Sequence, residues 1–201
     1  MRDILNKIII KGQIPYLMAL KRLIFWIAIL SPFLIFIDPY QFKEFSKIGW
    51  NILVGVMLIR PLADIFSKIG ILRTLVALRK EFGIGAALLF IAHFVGFILL
   101  NNVSVFDVVL DARYWNFKMY IAWGLLGITV SLPILLTSNK FAIIHLKKWW
   151  KPIQKLSYLL FIVGGIHIFL IGKKDVVYTL LFVAIIWLIA KIKVIYARAT
   201  T

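Results

Sequence analysis

Six long apolar stretches, separated by short polar breaks, dominate the pattern of this chain. Each stretch is close to the length of about 20 apolar residues that a helix needs to cross the hydrocarbon core of a bilayer. The breaks contain residues that end helices or form turns, such as Asp38-Pro39, Asn101-Asn102 and Gly172-Lys173-Lys174. The pattern therefore predicts an all-α bundle of six transmembrane helices, at about 20–37, 48–66, 83–100, 118–136, 153–171 and 176–195.

Two of these stretches, the third and the fifth, each carry a histidine in their interior, His93 and His167. A polar side chain is costly in the hydrocarbon core, so such a histidine usually marks a functional site. Arg79 lies fourteen residues before His93, and Gln154 lies thirteen residues before His167. Since a helix rises about 1.5 Å per residue, both offsets are equivalent to roughly 20 Å. If the two helices run in the same direction, the four side chains form two levels in the membrane.

The composition supports this interpretation, since 63% of the 201 residues are hydrophobic and the mean hydropathy is +0.98. Soluble domains are only about half apolar, so we expect an integral protein of the lipid bilayer. The net charge of +16 does not indicate nucleic-acid binding, because the basic residues form short clusters between the apolar stretches. The absence of cysteine excludes disulfides and Fe–S clusters within this chain.

The distribution of Lys and Arg predicts the orientation of the helices. Eighteen of the 24 basic residues fall on the side that holds both termini and the second and fourth connections. Because cytoplasmic loops are enriched in Lys and Arg, both termini are expected in the cytoplasm. The chain itself is expected in the inner membrane of the cell. No connection much exceeds twenty residues, so we expect residues 1–201 to form one domain. The first apolar stretch has no small-residue cleavage site after it and is expected to be a retained helix.

The histidine pair admits more than one chemistry. Two neutral imidazoles facing each other across a bundle can ligate a haem iron from both sides, and Gly96 and Gly164 would leave room for the macrocycle. Alternatively, the histidines bond to carbonyls or line a polar cavity, and the glycines allow close helix packing. Zinc is less favoured, because no Cys, Asp or Glu at a similar depth supplies a third ligand. His145, in a lysine-rich connection, is interpreted as a solvated loop histidine.

Three segments of the chain follow one another in order: Leu78-Arg79-Lys80-Glu81-Phe82-Gly83 before His93, Leu136-Thr137-Ser138 closing the fourth stretch, and Trp150 to Tyr158 before His167. Over about residues 20–195, the chain with these segments resembles the ferric-reductase-like transmembrane family. None of them is specific alone, but their order and spacing together identify the chain as a member. Within the family, the pattern is most similar to the haem-binding membrane subunits of the bacterial methionine sulfoxide reductase system.

The resemblance implies that His93 and His167 are the axial ligands of a b-type haem. It also implies a cofactor level near the cytoplasmic face, where Arg79 matches a basic residue of the family and FMN is a further candidate cofactor. Gln154 departs from the pattern, because the family has a histidine at the equivalent position. An amide oxygen is a poor ligand for haem iron, so we expect one haem rather than two.

The expected function is that of a redox subunit rather than a complete enzyme. The resemblance implies that it passes electrons from a flavin- or quinone-linked donor on the cytoplasmic side to an extracytoplasmic reductase subunit. One alternative is a stand-alone ferric or quinone reductase of the same fold. Another is a proton-coupled six-helix transporter, which has little support because no second half repeats the first and the apolar stretches contain almost no acids.

Overall fold

The structure, a computed structural model, describes residues 8–199 except the side chain at position 198. Within this range all the regular structure is helical, and no strand is present. In chain order the helices after residue 16 are α1 (Leu17–Leu30), α2 (Phe42–Ile65), α3 (Gly70–Val76), α4 (Arg79–Asn101), α5 (Val105–Leu110), α6 (Tyr120–Leu136), α7 (Lys140–Leu146), α8 (Trp150–Leu170) and α9 (Val176–Ala199).

Five helical segments of the described range are long and apolar enough to cross a membrane. The remaining predicted span is α6, which is apolar but has only 17 residues. At 1.5 Å per residue α6 is about 26 Å long, slightly less than the thickness of a typical hydrocarbon core. The helical, membrane-spanning character of the chain is confirmed, while the count of six spans stays a prediction. The five segments are Leu17–Phe36, Pro39–Ile65, Arg79–Asn101, Lys140–Leu170 and Val176–Ala197.

The connections between the predicted spans are more helical than the sequence pattern indicated. The helix α1 ends at Leu30, and a 3-10 helix over Ser31–Phe36 follows it directly. The α-helical hydrogen bonds stop there because Pro32 lacks the N–H that an α-helix needs. The short helices α3, α5 and α7 lie in segments that looked like loops. His145 is accordingly in a helix, α7, where it is exposed and its Nδ1–H donates to the carbonyl of Phe141 at 2.9 Å.

Four helices form the ring that positions the histidines. Along this ring α2 packs against α4, α4 against α6, α6 against α8, and α8 against α2. The helices α4 and α8 therefore face each other on the diagonal, as ligand-bearing helices do in four-helix bundles. Outside the ring, α1 packs on α4, and α9 packs on α2 and α8. The main core cluster consists of Leu53, Met57, Ala86, Val130, Leu160, Phe161 and Val183.

Side-chain contacts to backbone carbonyls show that α4 and α2 are antiparallel. His93, late in α4, reaches the carbonyl of Phe42 at the start of α2, while Arg79 at the start of α4 reaches the carbonyl of Val56. The helices α6 and α8 are also antiparallel. His167, near the end of α8, reaches the carbonyl of Tyr120 at the start of α6.

The outer helix α9 relates these two pairs to each other. The indole of Trp187 donates to the carbonyl of Met57 at 3.2 Å, and the Lys193 ammonium donates to the carbonyl of Ile65, so α9 runs parallel to α2. Gly165, late in α8, contacts Leu180 at the start of α9, so α9 and α8 are antiparallel. It follows that α4 and α8 run in the same direction. This is the condition under which the sequence predicts two levels of polar side chains.

Candidate functional site

The two intramembrane histidines meet at one end of the ring. The imidazole centroids of His93 and His167 are 6.4 Å apart, and the ring planes are inclined by 74°. Both side chains are half-buried. The structure therefore brings together the two residues that the sequence placed at one depth on separate helices.

Each imidazole is oriented by a backbone carbonyl. The Nδ1 atom of His93 lies 2.8 Å from the carbonyl oxygen of Phe42, and that of His167 lies 2.7 Å from the carbonyl oxygen of Tyr120. A carbonyl oxygen only accepts hydrogen bonds, so Nδ1 carries the proton in both rings. In the neutral imidazole Nε2 then keeps its lone pair, which is the form that binds a metal. Within residues 8–199 no hydrogen bond occupies either Nε2.

Gly124 in α6 allows the close approach of His167 to the first turn of that helix. A Cβ atom at position 124 would lie 2.9 Å from Cε1 and 3.1 Å from Nδ1 of His167, which is too close for an unstrained contact. The next glycine of α6, Gly127, faces looser packing, with the nearest atom to its Cβ position, on Val163, at 3.7 Å. Sequence reasoning missed Gly124, because a glycine in an apolar stretch does not show which neighbour it faces.

Gly96 and Gly164 lie at close contacts between helices. A Cβ at Gly96 would be 2.5 Å from Cβ of Phe42 and 2.7 Å from Cδ1 of Ile35. The absence of a side chain at Gly96 therefore lets these two residues, at and before the start of α2, pack directly against α4. A Cβ at Gly164 would lie 3.1 Å from the indole of Trp50. Both glycines thus serve close helix packing, which was the alternative interpretation, and the expectation that they leave room for a macrocycle stays a prediction.

Aromatic side chains surround the histidine pair. The ring of Phe42 stacks on His93 with centroids 5.2 Å apart and planes inclined by 15°. The ring of Tyr120 lies 5.9 Å from that of His167 in an edge arrangement. Phe42 and Tyr120 thus each contribute a carbonyl to one imidazole and a ring beside it. These two rings restrict the rotation of the imidazoles and place an aromatic surface beside each of them.

The second polar level lies at the other end of the same two helices. Arg79 donates from Nε to the carbonyl of Val56 at 3.1 Å, and its guanidinium interacts with the phenol of Tyr158. Gln154 donates from Nε2 to Thr137 Oγ1 at 2.9 Å, and its other partners are also in the last turn of α6 or just after it. In the described part of the chain no hydrogen bond joins Arg79 to Gln154. The two residues share a depth, but each one is bonded to its own neighbouring helix.

The donor set at the histidine level fits a haem iron. Two metal–nitrogen bonds of about 2 Å, plus about 1 Å from each nitrogen to its ring centre, place the centroids of two imidazoles on one metal roughly 6 Å apart. The observed centroid distance is 6.4 Å. No group of three or more His, Cys, Asp and Glu residues that could hold a metal occurs in the described residues. Two imidazoles at this separation are the protein ligands that a haem needs, because the macrocycle supplies its other four.

Curated relatives of the chain are haem-binding subunits, named MsrQ, of protein-methionine-sulfoxide reductases. The relative from Agrobacterium fabrum is 31% identical over 120 residues, which is 60% of this chain and 52% of the relative. The relative from Brucella anthropi is 25% identical over 141 residues, which is 69% of this chain and 60% of the relative. The chain thus spans between about half and three fifths of the length of these relatives. No solved structure matches the chain.

A family profile gives the assignment. The profile described as ferric reductase like transmembrane component matches residues 48–165, which is more than half of the chain. The matched region contains Arg79, His93 and Gln154 and ends two residues before His167. The chain therefore belongs to the ferric reductase like transmembrane component family and is a multi-pass membrane protein.

Proposed function

We propose that this chain is a haem b-containing electron-transfer subunit of the inner membrane. It receives electrons from a flavin or quinone on the cytoplasmic side and passes them to an extracytoplasmic reductase of the methionine sulfoxide reductase type. The observation that carries the proposal is the histidine pair, whose rings are 6.4 Å apart and both held in the Nδ1-protonated form. The names of the relatives support the cofactor and the partner.

In this proposal His93 and His167 would hold the haem iron through their Nε2 atoms. The carbonyls of Phe42 and Tyr120 hold the imidazoles in one tautomer and raise their basicity, as outer partners of metal-bound histidines generally do. A bound haem supplies one-electron chemistry, while the protein sets its position and potential. The stacked ring of Phe42 limits rotation of the His93 imidazole and keeps water from that face.

In this proposal, electrons enter the chain at the level of Arg79 and Gln154. Arg79 is half-buried, and within the described residues it has no carboxylate partner within 4 Å, so its charge favours an anionic donor such as FMN. Its N–H groups can also donate to an oxygen of a quinone. Tyr158 adjoins the guanidinium and can hydrogen-bond a bound donor. Gln154 contributes an amide at the same depth, although its nitrogen is already bonded to α6.

Orientation is the first property to test. We propose six membrane-spanning helices in one domain, with both termini in the cytoplasm, because 18 of the 24 Lys and Arg residues then face inward. Alkaline phosphatase, which is active only outside the cytoplasm, should be inactive when fused after Thr201 and active when fused after Leu110. High activity after Thr201 would contradict the orientation and, with it, the assignment of the Arg79 level to the cytoplasmic side.

The haem content is the second property to test. Haem extracted from the purified chain should amount to one per chain, because the inner level offers the amide of Gln154 and that amide is bonded to Thr137 and the carbonyl of Ile134. The measurement is pyridine haemochrome absorbance divided by protein from amino-acid analysis. Gln154→Ala serves as the control and should leave the ratio unchanged. A ratio of two in the wild-type chain would show that another group ligates an inner haem.

A further inference from the structure

An open cavity with cationic side chains in its lining lies at the end of the bundle where α2 ends and α4 begins, away from the histidine pair. Residues 10–17 pack across α3 there and form one wall of this cavity, whose volume is about 410 Å³. Three of its lining side chains are cationic, one is a serine, and two that precede or start α1 are apolar. These residues are Lys11, Lys68, Arg73, Ser67, Ile10 and Leu17.

Backbone contacts hold this cavity in shape. The N–H of Gly70 donates to the carbonyl of Ile10 at 3.1 Å, and the hydroxyl of Thr74 donates to the carbonyl of Gly12 at 2.6 Å. Gly12 has a φ of +66°, which favours glycine, and a Cβ at either Gly12 or Gly70 would collide with the facing backbone. Two glycines therefore let the segment before α1 lie directly on α3, and the cavity is preformed.

Within residues 8–199 no ion pair compensates the positive charge around the cavity. In the described part of the chain, the three ion pairs lie elsewhere, and none involves Lys11, Lys68 or Arg73. Asp64, one turn before the α2–α3 connection, is paired with Arg60 at 3.1 Å. Three cations from two separate chain segments thus surround one cavity, which favours a multiply charged anion. Arginine in particular binds the oxygens of a phosphate through two parallel hydrogen bonds.

The position of the cavity indicates where such an anion comes from. Leu17 lines the cavity and is also the first residue of α1, a helix long and apolar enough, with the 3-10 turn after it, to span the membrane. Farther along α1 the side chains of Leu23, Trp26 and Ile27 are each 57% exposed and form an apolar path away from the cavity. Basic pockets at the membrane surface characteristically hold the headgroups of acidic lipids.

We propose that this cavity binds the phosphate of an anionic phospholipid headgroup, with the acyl chains lying along the exposed apolar side of α1. Arg73 and Lys68 contact the phosphate oxygens from α3 and the connection before it, and Lys11 closes the cavity from the other side. The bound lipid joins the segment before α1 to α3 and so stabilises the end of the bundle next to Arg79. The proposal is independent of the haem and of the electron donor.

The test compares melting temperatures of the purified haem-loaded chain in detergent with added phosphatidylglycerol, phosphatidylcholine or inorganic phosphate. Phosphatidylglycerol should raise the melting temperature clearly more than phosphatidylcholine does, since a ligand of the native state stabilises it by mass action. The double variant Lys68→Gln/Arg73→Gln should lose at least about half of that additional shift. A control double variant, Lys140→Gln/Lys151→Gln, removes two exposed charges outside the cavity. It should keep the full additional shift in melting temperature.

Each outcome bears on the proposal. Equal loss in the two double variants would mean that general surface charge causes the shift, and it would overturn the site. Equal stabilisation of the wild-type chain by inorganic phosphate would assign the cavity to a soluble phosphate compound and overturn the lipid. Equal shifts with the two lipids would exclude recognition of the anionic headgroup. The melting temperature with phosphatidylcholine is the folding control. It should be the same in the wild-type chain and in both double variants.

Discussion

Replacing His93 or His167 with alanine should abolish the low-spin b-type haem spectrum of the purified chain. Each replacement removes one of two iron–nitrogen bonds and leaves a void where an imidazole was held at 2.8 or 2.7 Å from a carbonyl. Losing an outer partner of a metal ligand typically weakens metal binding by about 10- to 100-fold, so the loss of a ligand itself should exceed that. The visible absorption spectrum, with haem quantified per chain, measures the effect.

Two further variants make this result specific. His145→Ala removes the third histidine, which is exposed in α7, and it should leave the spectrum unchanged. His93→Met places a thioether ligand at the same position, so it should keep haem but raise the reduction potential. Unaltered spectra for both His93→Ala and His145→Ala would show that His93 is not a ligand.

Gly124→Ala should also reduce the affinity for haem, by about tenfold or more, although residue 124 has no ligating atom. The new methyl group would lie 2.9 Å from Cε1 of His167, so the imidazole has to move by several tenths of an ångström. Such a movement weakens either the hydrogen bond to the carbonyl of Tyr120 or the bond to iron. The measurement is haem dissociation from the purified variant to an excess of apomyoglobin, compared with the wild-type chain.

Gly127→Ala is the matched control for this variant. It lies on the same helix, α6, and the nearest atom to its added Cβ would be at an ordinary distance of 3.7 Å. Both substitutions favour the helix by up to about 1 kcal/mol in propensity, so neither should unfold α6. Equal haem retention in the two variants would contradict the account of how His167 is seated.

The parts of the fold that the sequence predicted are those with a strong signal along the chain. Long apolar stretches indicated the membrane helices, and the interior positions of His93 and His167 indicated the functional level. Helix ends were less well predicted. The helix α2, for example, begins at Phe42 rather than at 48. The Asp38 side chain accepts from the Tyr40 N–H and caps a 3-10 turn, which leads into α2 before the apolar stretch begins.

Contacts between distant helices could not be predicted. The carbonyl of Phe42 that holds His93 is 51 residues away, and the carbonyl of Tyr120 that holds His167 is 47 residues away. These pairings depend on the rotation of each helix about its axis, and a helix that is apolar on all sides gives no periodic signal of that rotation. The role of Gly124 was not predictable for the same reason.

The bonding of Gln154 illustrates what a pattern of spacing leaves open. Its distance from His167 correctly indicated the opposite end of the bundle from the histidine pair. The spacing did not show that the amide nitrogen would bond to Thr137 and to the carbonyl of Ile134. The last carbonyls of a helix have no partner within it, so a polar side chain from a neighbouring helix satisfies them. This bonding gives Gln154 a structural role in addition to the cofactor role that we propose for its level.

The ligation of one haem by His93 and His167 is most directly tested by electron paramagnetic resonance of the oxidised, purified wild-type chain at low temperature. Two imidazoles on one ferric haem place the iron in the low-spin state. The account predicts a single low-spin species that disappears in both single alanine variants. A folded, haem-loaded chain that shows only high-spin iron, or that keeps its low-spin signal in either alanine variant, would contradict it.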